Sequence, residues 1–237
     1  LVCGLQIQNH DHNLRAAWLP HYMSIGTLGC FVRDSSDTLF LLSNAHVLAP
    51  GNNGQPGDAI LQPGTIATTY PSEERIASFS QFVPIKPSPF GADPSNGDAV
   101  LNMVDMAIAE VAQDIQVSSG FLPVHRLTPI SGVNSPDLPK PQVIKVGRTT
   151  GLTYGEIKKT ATIVGPIPYP GIGTCWFRNA FEIRGLGGTL FSNNGDSGSA
   201  ILNQDGEVIG LLFAGNGDRT YACPIDSVLS AMEFQVV

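Results

Sequence analysis

Three short segments of this 237-residue chain carry side chains suited to nucleophilic catalysis. Ser43-Asn44-Ala45-His46-Val47 sets a histidine directly after an apolar run. Val104-Asp105-Met106-Ala107-Ile108 embeds an acid among apolar residues. Asn194-Gly195-Asp196-Ser197-Gly198-Ser199-Ala200 sets a serine in a glycine-rich turn. A serine hydroxyl is a poor nucleophile until a neighbouring base takes its proton. Histidine suits that task because its ordinary pKa, about 6.5, lies near working pH. A buried carboxylate fixes the imidazole tautomer and stabilises the imidazolium. Glycines beside the serine let backbone N–H groups converge on a developing oxyanion, here those of Gly195 and Ser197. Each piece alone has an ordinary structural reading: a core histidine, a capped strand end, a turn. The combination on a β-rich background is what points to chemistry.

The elements that must position these residues read as short strands. Thr27–Arg33 and Thr38–Ser43 are β-rich runs joined by the hairpin signal Asp34-Ser35-Ser36-Asp37. Residues 62–98 are rich in Pro, Gly and Ser and read as a long surface connection, with a short strand over Arg75–Phe82. Val104–Val111 reads as a strand with Asp105 near its start. Residues 114–141 read as a linker punctuated by Pro123, Pro129, Pro136, Pro139 and Pro141. A second β-rich block follows over Gln142–Gly147, Tyr154–Val164, Trp176–Arg184, Ala200–Asn203 and Val208–Ala214. Asp205-Gly206 marks a turn inside it. Pro224–Phe234 has apolar residues at helical spacing. These short strands with Gly/Pro turns argue for an all-β sandwich or a barrel pair with a short C-terminal helix.

Bulk properties narrow the function classes. Apolar residues make up 42% of the chain, enough for a sizeable core, and charged residues only 14%, against roughly 25% in typical soluble domains. The net charge is −7 with no Lys/Arg run, which argues against nucleic-acid and anionic-membrane surfaces. No apolar run approaches the roughly 18 residues that span a bilayer. Cys3, Cys30, Cys175 and Cys223 match no zinc spacing and permit either two disulfides or four thiols. His10 and His12 lack a third ligand nearby and read as a solvated loop. His21, His125, Trp18 and Trp176 read as structural, and Asn52, Asn53 and Asp58 are too few for a calcium loop. No metal or cofactor is expected. Asn-Gly-Asp at 96–98 and 216–218 reads as a turn.

Ala45-His46 and Gly195-Asp196-Ser197-Gly198 resemble the two signature motifs of the chymotrypsin/trypsin-like serine proteases, and Asp105-Met106-Ala107-Ile108 resembles that family's aspartate segment. The order His, Asp, Ser matches, and the resemblance extends over about residues 24–232. Gly26-Thr27-Leu28-Gly29, Leu42-Ser43-Asn44 and Gly147-Arg148-Thr149-Thr150-Gly151-Leu152-Thr153 are more similar to bacterial and plant trypsin-like proteins than to animal digestive enzymes. The resemblance implies an all-β double six-stranded β-barrel divided as residues 1–120 and 121–237, and a serine endopeptidase acting on a protein or peptide substrate. His46, Asp105 and Ser197 would be catalytic, and the N–H groups of Gly195 and Ser197 would form the oxyanion hole. An activating protease or regulatory partner is a candidate partner. An esterase with the same triad and a catalytically silent binding module on a protease fold are the rivals.

Departures from the family carry further expectations. Val47 stands where secreted animal members have cysteine, Phe191–Asn194 contains none, and the partner of Cys30 is absent, so a reduced, cytoplasmic protein is expected. By the same resemblance Phe213, Ala214 and Gly215 would bind substrate, with Phe213 where many relatives have serine. Gly187–Ser192 would form part of the pocket floor, with no acid in it. Asp218 on a nearby loop is the one acid in reach, so an apolar or small side chain is the expected preference. In many relatives the acid before the serine pairs with a terminal amine created by cleavage, and Leu1-Val2-Cys3-Gly4 loosely resembles such an end. The preferred reading is that Asp196 pairs with Arg148, Arg178 or a backbone N–H. Gly147–Gly151 reads as a turn into the second barrel.

Overall fold

The computed structural model describes residues 1–15, 24–63, 74–121, 142–232 and 234–236. Trp18, His21, His125 and the linker from residue 122 to 141 lie outside the described residues. In chain order the strands are β1 (Val2–Cys3), β2 (Gln6–Asn9), β3 (Gly26–Thr27), β4 (Cys30–Arg33), β5 (Leu39–Ser43), β6 (Ala59–Gln62), β7 (Glu74–Phe82), β8 (Leu101–Asn102) and β9 (Ala107–Val111). They continue as β10 (Ser118–Phe121), β11 (Gln142–Gly147), β12 (Gly151–Tyr169), β13 (Gly173–Gly185), β14 (Ala200–Leu202), β15 (Val208–Asn216), β16 (Arg219–Pro224) and β17 (Gln235–Val236). The helices are short: α1 (His10–Arg15), α2 (Ala45–Leu48) and α3 (Ile225–Ser230).

Two sheets hold nearly all of these strands. One runs β17-β4-β5-β9-β7-β6-β2-β3, the other β12-β11-β14-β15-β16-β13-β8. Without the two-residue edge strands, each has the expected six. The second closes on itself because β12 also pairs with β13. The first closes through a bend: β3 pairs with β2, Leu28 and Gly29 follow, and β4 pairs with β5. The Gly4 and Leu28 N–H groups extend the first pairing by donating to the Leu28 and Leu5 carbonyls. The result is a double barrel whose edges interlock, since β17 pairs with β4 and β8 pairs with β13.

The hairpin at Asp34–Asp37 forms as its residues dictate. The Asp34 carboxylate accepts from the Ser36 and Thr38 N–H groups, and Asp37 takes φ +64°. Residues 74–82 form the strand expected over Arg75–Phe82, but its place departs from the expectation. They form a nine-residue strand between β6 and β9, inside the sheet rather than over its surface. The turn-rich flanks concealed the apolar residues Ile76, Ala77 and Phe79, all buried. The start of the expected linker likewise forms β10, which pairs in parallel with β1. His10 and His12 lie on α1, and His12 is buried, so neither sits in a solvated loop. β16 was not anticipated: Arg219, Thr220 and Tyr221 break the apolar alternation.

Burial in β15 explains its unbroken apolar run. Ile209 and Leu212 join Phe181, Ile183 and Phe191 inside the second barrel, while Val208, Leu211 and Phe213 join the main core that continues into the first. Both faces of this strand are therefore dry. Cys3, Cys30, Cys175 and Cys223 are buried and none of them is joined in a disulfide. Burial pushes the Cys175 thiol up to about 11 and Cys30 well above its ordinary value. Among the described residues no helix is long and apolar enough to cross a membrane, and no cluster of His, Cys, Asp and Glu could hold a metal ion.

The barrels touch most closely where β3 and β4 pass the Ser197 loop. A Cβ on Gly29 would collide with the Gly198 carbonyl, a backbone atom that cannot swing aside. Gly29→Ala is therefore expected to lower stability by about 2–3 kcal/mol, a fall in Tm of roughly 5–10 °C. Thermal unfolding followed by circular dichroism measures it.

Candidate active site

His46 lies on α2, at the end of β5. Asn44 occupies the N-cap position but does not cap the helix. Its side-chain Nδ2 instead donates to the Asp105 carbonyl at 2.7 Å, tying the histidine helix to the aspartate segment. Asp105 sits just before β9, fully buried between Val104 and Met106. Its Oδ1 accepts from the His46 backbone N–H at 3.2 Å, and its Oδ2 lies 2.5 Å from His46 Nδ1. The His46 side chain is 24% exposed and the Asp105 side chain 0%. With Nδ1 held by the buried acid, Nε2 is the ring nitrogen left to take up a proton.

Ser197 and His46 line one cleft of about 380 Å³, together with Tyr169, Phe213, Ala214 and Gly215. The structure therefore gathers the expected triad residues in one place, the acid behind the histidine and the serine across the cleft. A second hollow of about 350 Å³ adjoins Ser197 and is lined by Leu190, Ser192, Asn193, Ala214, Gly215 and Asn216, among others. Ser192, one of its lining residues, has its hydroxyl 2.6 Å from that of the buried Thr220. Ala214 and Gly215 face both spaces, whereas Phe213 is nearly buried and stacks on Phe177 at 4.6 Å between ring centroids. Asp218 lines neither; it pairs with Arg184 at 2.9 Å.

The loop that carries Ser197 is held on every side. Gly195 and Gly198 adopt φ of +98° and +93°, which a side chain would strain. The Asn194 carbonyl accepts from Thr149 Oγ1 at 2.7 Å. A trans peptide sets C=O and N–H on opposite sides, so the Gly195 N–H points away from Thr149. Thr27 bolts the first barrel onto this loop. Its N–H donates to the Ser197 carbonyl at 2.8 Å, and its Oγ1 donates to the Gly195 carbonyl at 2.9 Å and accepts from the Arg148 N–H. Its own carbonyl accepts from the Ser43 hydroxyl.

Asp196 is fully buried and fills its acceptor capacity locally. The N–H groups of Thr149, Thr150 and Asn193 donate to it, as does the Thr150 hydroxyl at 2.6 Å. Its cation is Lys145 Nζ at 3.5 Å, neither Arg148 nor Arg178; Arg178 reaches Met103. The Leu1 amino group donates to the Gln116 carbonyl instead. Gly147–Gly151 is thus more than a turn, because Thr149 and Thr150 brace the serine loop. Thr27, Lys145, Thr149, Thr150 and Tyr169 were not singled out from the sequence as site residues. Lys145 left one trace: a lone lysine at an inward register of an apolar strand, Gln142–Gly147.

Burial lowers Lys145 to about 8, with Asp196 opposing the shift. The ordinary value is about 10.4, so between the two the unfolded chain holds more protons. This group's contribution to stability therefore rises as pH climbs through that window, even as Asp196 loses its cation. Lys145→Met removes the Nζ hydrogen bonds to the Thr150 hydroxyl and the Gly151 carbonyl and is expected to cost about 1–3 kcal/mol at neutral pH. Urea unfolding compared with wild type measures the loss.

No sequence-family model and no curated protein matches the chain. Solved structures do. Thermobifida fusca protease A superposes with a TM-score of 0.63 at 16% identity, covering 100% of this chain and 97% of that one. A Nocardiopsis protease gives 0.62 at 14% identity, covering 99% and 97%. A serine protease described as glutamic-acid-specific, with a histidine triad in substrate binding, gives 0.60 at 14% identity over 100% of both chains. The chain is built on the trypsin-like double β-barrel fold of the chymotrypsin-like bacterial serine proteases.

Proposed function

We propose that the protein is a serine endopeptidase that cleaves peptide bonds through an acyl-enzyme on Ser197. The observation that carries this reading is the 2.5 Å contact between His46 Nδ1 and the buried Asp105 carboxylate, at a histidine sharing its cleft with Ser197. His46 takes the Ser197 proton as the hydroxyl oxygen attacks the substrate carbonyl, and later gives it to the leaving amine. Asp105 holds the imidazole in the tautomer this requires and stabilises the imidazolium. The N–H groups of Gly195 and Ser197 receive the negative charge on the tetrahedral oxygen. The orientation imposed on the 194–195 peptide by Thr149 favours a hole formed before substrate arrives. Water then attacks the acyl-enzyme by the same route.

The hollow beside Ser197 takes the side chain that precedes the cleaved bond. Its lining residues are uncharged among those described, and they include Ser192, Asn193, Asn194 and Asn216. It suits a small or uncharged polar side chain. A lysine, arginine or carboxylate there would be buried without a partner. The glutamic-acid-specific neighbour uses a histidine triad in substrate binding, and among the described residues no histidine lines this hollow.

Labelling with a fluorophosphonate, read by intact mass, tests the nucleophile. Single labelling at Ser197, absent in Ser197→Ala and His46→Ala, is expected. Folded protein that does not label would favour the silent binding module. Asp105→Asn should lower kcat by about 10⁴-fold, and near-normal turnover would sink the triad. A panel of peptides and esters separates the endopeptidase from an esterase. Within the panel, peptides with a charged residue before the scissile bond should be cleaved roughly 100-fold less efficiently than those with an uncharged one. Turnover should fall above about pH 8 as Lys145 loses its proton, without a matching fall in Tm.

A further inference from the structure

Asp105 is held by a residue that the proposed reaction has not used. Tyr169 Oη donates to Asp105 Oδ2 at 2.8 Å, within the buried interior. That oxygen is the one against which His46 Nδ1 lies, so imidazole and phenol share a single acceptor. The ring of Tyr169 is fixed on two sides. It meets His46 edge-on at 5.6 Å with an interplanar angle of 83°, and it tilts against Phe177 at 5.7 Å and 34°. Burial, and then the Asp105 charge, push the Tyr169 hydroxyl well above its ordinary range, so it remains a donor.

The ring reaches this place from the other barrel. Tyr169 is the last residue of β12, at the tip of the long β12–β13 hairpin, where the Ile172 N–H closes the turn onto the Tyr169 carbonyl. Its neighbours Ile167, Pro168 and Pro170 line the cleft beside Ser197. Phe213 completes the aromatic row behind Phe177 and offers no hydroxyl. A tyrosine kept only for packing would need an acceptor for its hydroxyl, but nothing in packing selects the oxygen that faces His46. That shared oxygen has a mechanical consequence. Three donors then fix the plane of the Asp105 carboxylate: the His46 N–H on Oδ1, with His46 Nδ1 and Tyr169 Oη on Oδ2.

We propose that Tyr169 is a positioning residue of the hydrolytic site, its hydroxyl fixing the Asp105 carboxylate that orients His46. This inference rests on the reading of His46, Asp105 and Ser197 given above. Removing the hydroxyl leaves the carboxylate free to turn about its last bond and loses one charge-assisted hydrogen bond. It also leaves more negative charge on Oδ2, which favours the imidazolium.

Tyr169→Phe, assayed beside wild type on one peptide substrate, is the test. A fall in kcat of roughly 10- to 100-fold is expected, with KM changed less than about twofold. The acid limb of kcat should move to higher pH by about half a unit to one unit. A Tm lowered with kcat and the acid limb unchanged would assign Tyr169 to packing alone and overturn the inference. If Tyr169→Phe does not fold, 3,5-difluorotyrosine at position 169 keeps the ring and strengthens the donor. It should move the acid limb to lower pH, and an unmoved limb would be equally fatal. Should wild type neither label nor turn over, the reading of Ser197 fails by itself. The His46 Nδ1 proton resonance needs no turnover, and if it is the same in Tyr169→Phe as in wild type, the inference about Tyr169 fails as well.

Discussion

A carboxylate with no water around it must be met by donors, and Asp105 draws its donors from both barrels. From the first come the His46 backbone and ring and the Asn44 amide that grips the Asp105 carbonyl. From the second comes the Tyr169 hydroxyl. An unpaired buried charge would cost several kcal/mol, so the barrels cannot separate or slide at this point without exposing or orphaning it. The relative placement of the histidine and the serine loop follows from that constraint.

Asp196 repeats the same logic on the serine side. It is fully buried, and three backbone N–H groups, one hydroxyl and the Lys145 ammonium converge on it. The loop it anchors is then clamped from the first barrel by Thr27. The glycines at 26 and 29 let that strand approach until its backbone meets the backbone of Ser197 and Gly198. Under the proposed endopeptidase reading, rigidity here has a chemical use. Donors aimed at an oxyanion are worth most when nothing must reorganise at the moment charge develops.

The cleft is built asymmetrically. One wall is the long β12–β13 hairpin, whose tip reaches the His46–Asp105 pair, and the other includes Pro50 and Gly51 just beyond the histidine helix. The aromatic row of Tyr169, Phe177 and Phe213 passes from the cleft into the main core, so packing in the seam and geometry at the acid are coupled. The neighbouring hollow is lined by the end of β15 together with Leu190, Ser192 and Asn193.

Much of this was legible in the sequence, because local chemistry announces itself. Ala45-His46, Asp105-Met106-Ala107 and Gly195-Asp196-Ser197-Gly198 marked the candidate site and, by their resemblance, the double-barrel class, while apolar alternation bounded by Gly and Pro marked most strands. Where the local signal was ambiguous, the reading failed: β16 was hidden by its polar residues and α1 by two histidines, while β7 was read as a strand but assigned to a surface connection. The partners of the buried charges were not readable at all. Asp196 takes Lys145, and Asp105 takes Tyr169, across 51 and 64 positions of chain. Side chains that far apart leave no local pattern, since their pairing is fixed by strand register and by the packing of one barrel on the other. The sequence by itself determined which residues could do chemistry and on what class of scaffold; only the tertiary structure decided which donors hold them, because burial makes that choice and burial is a property of the whole fold.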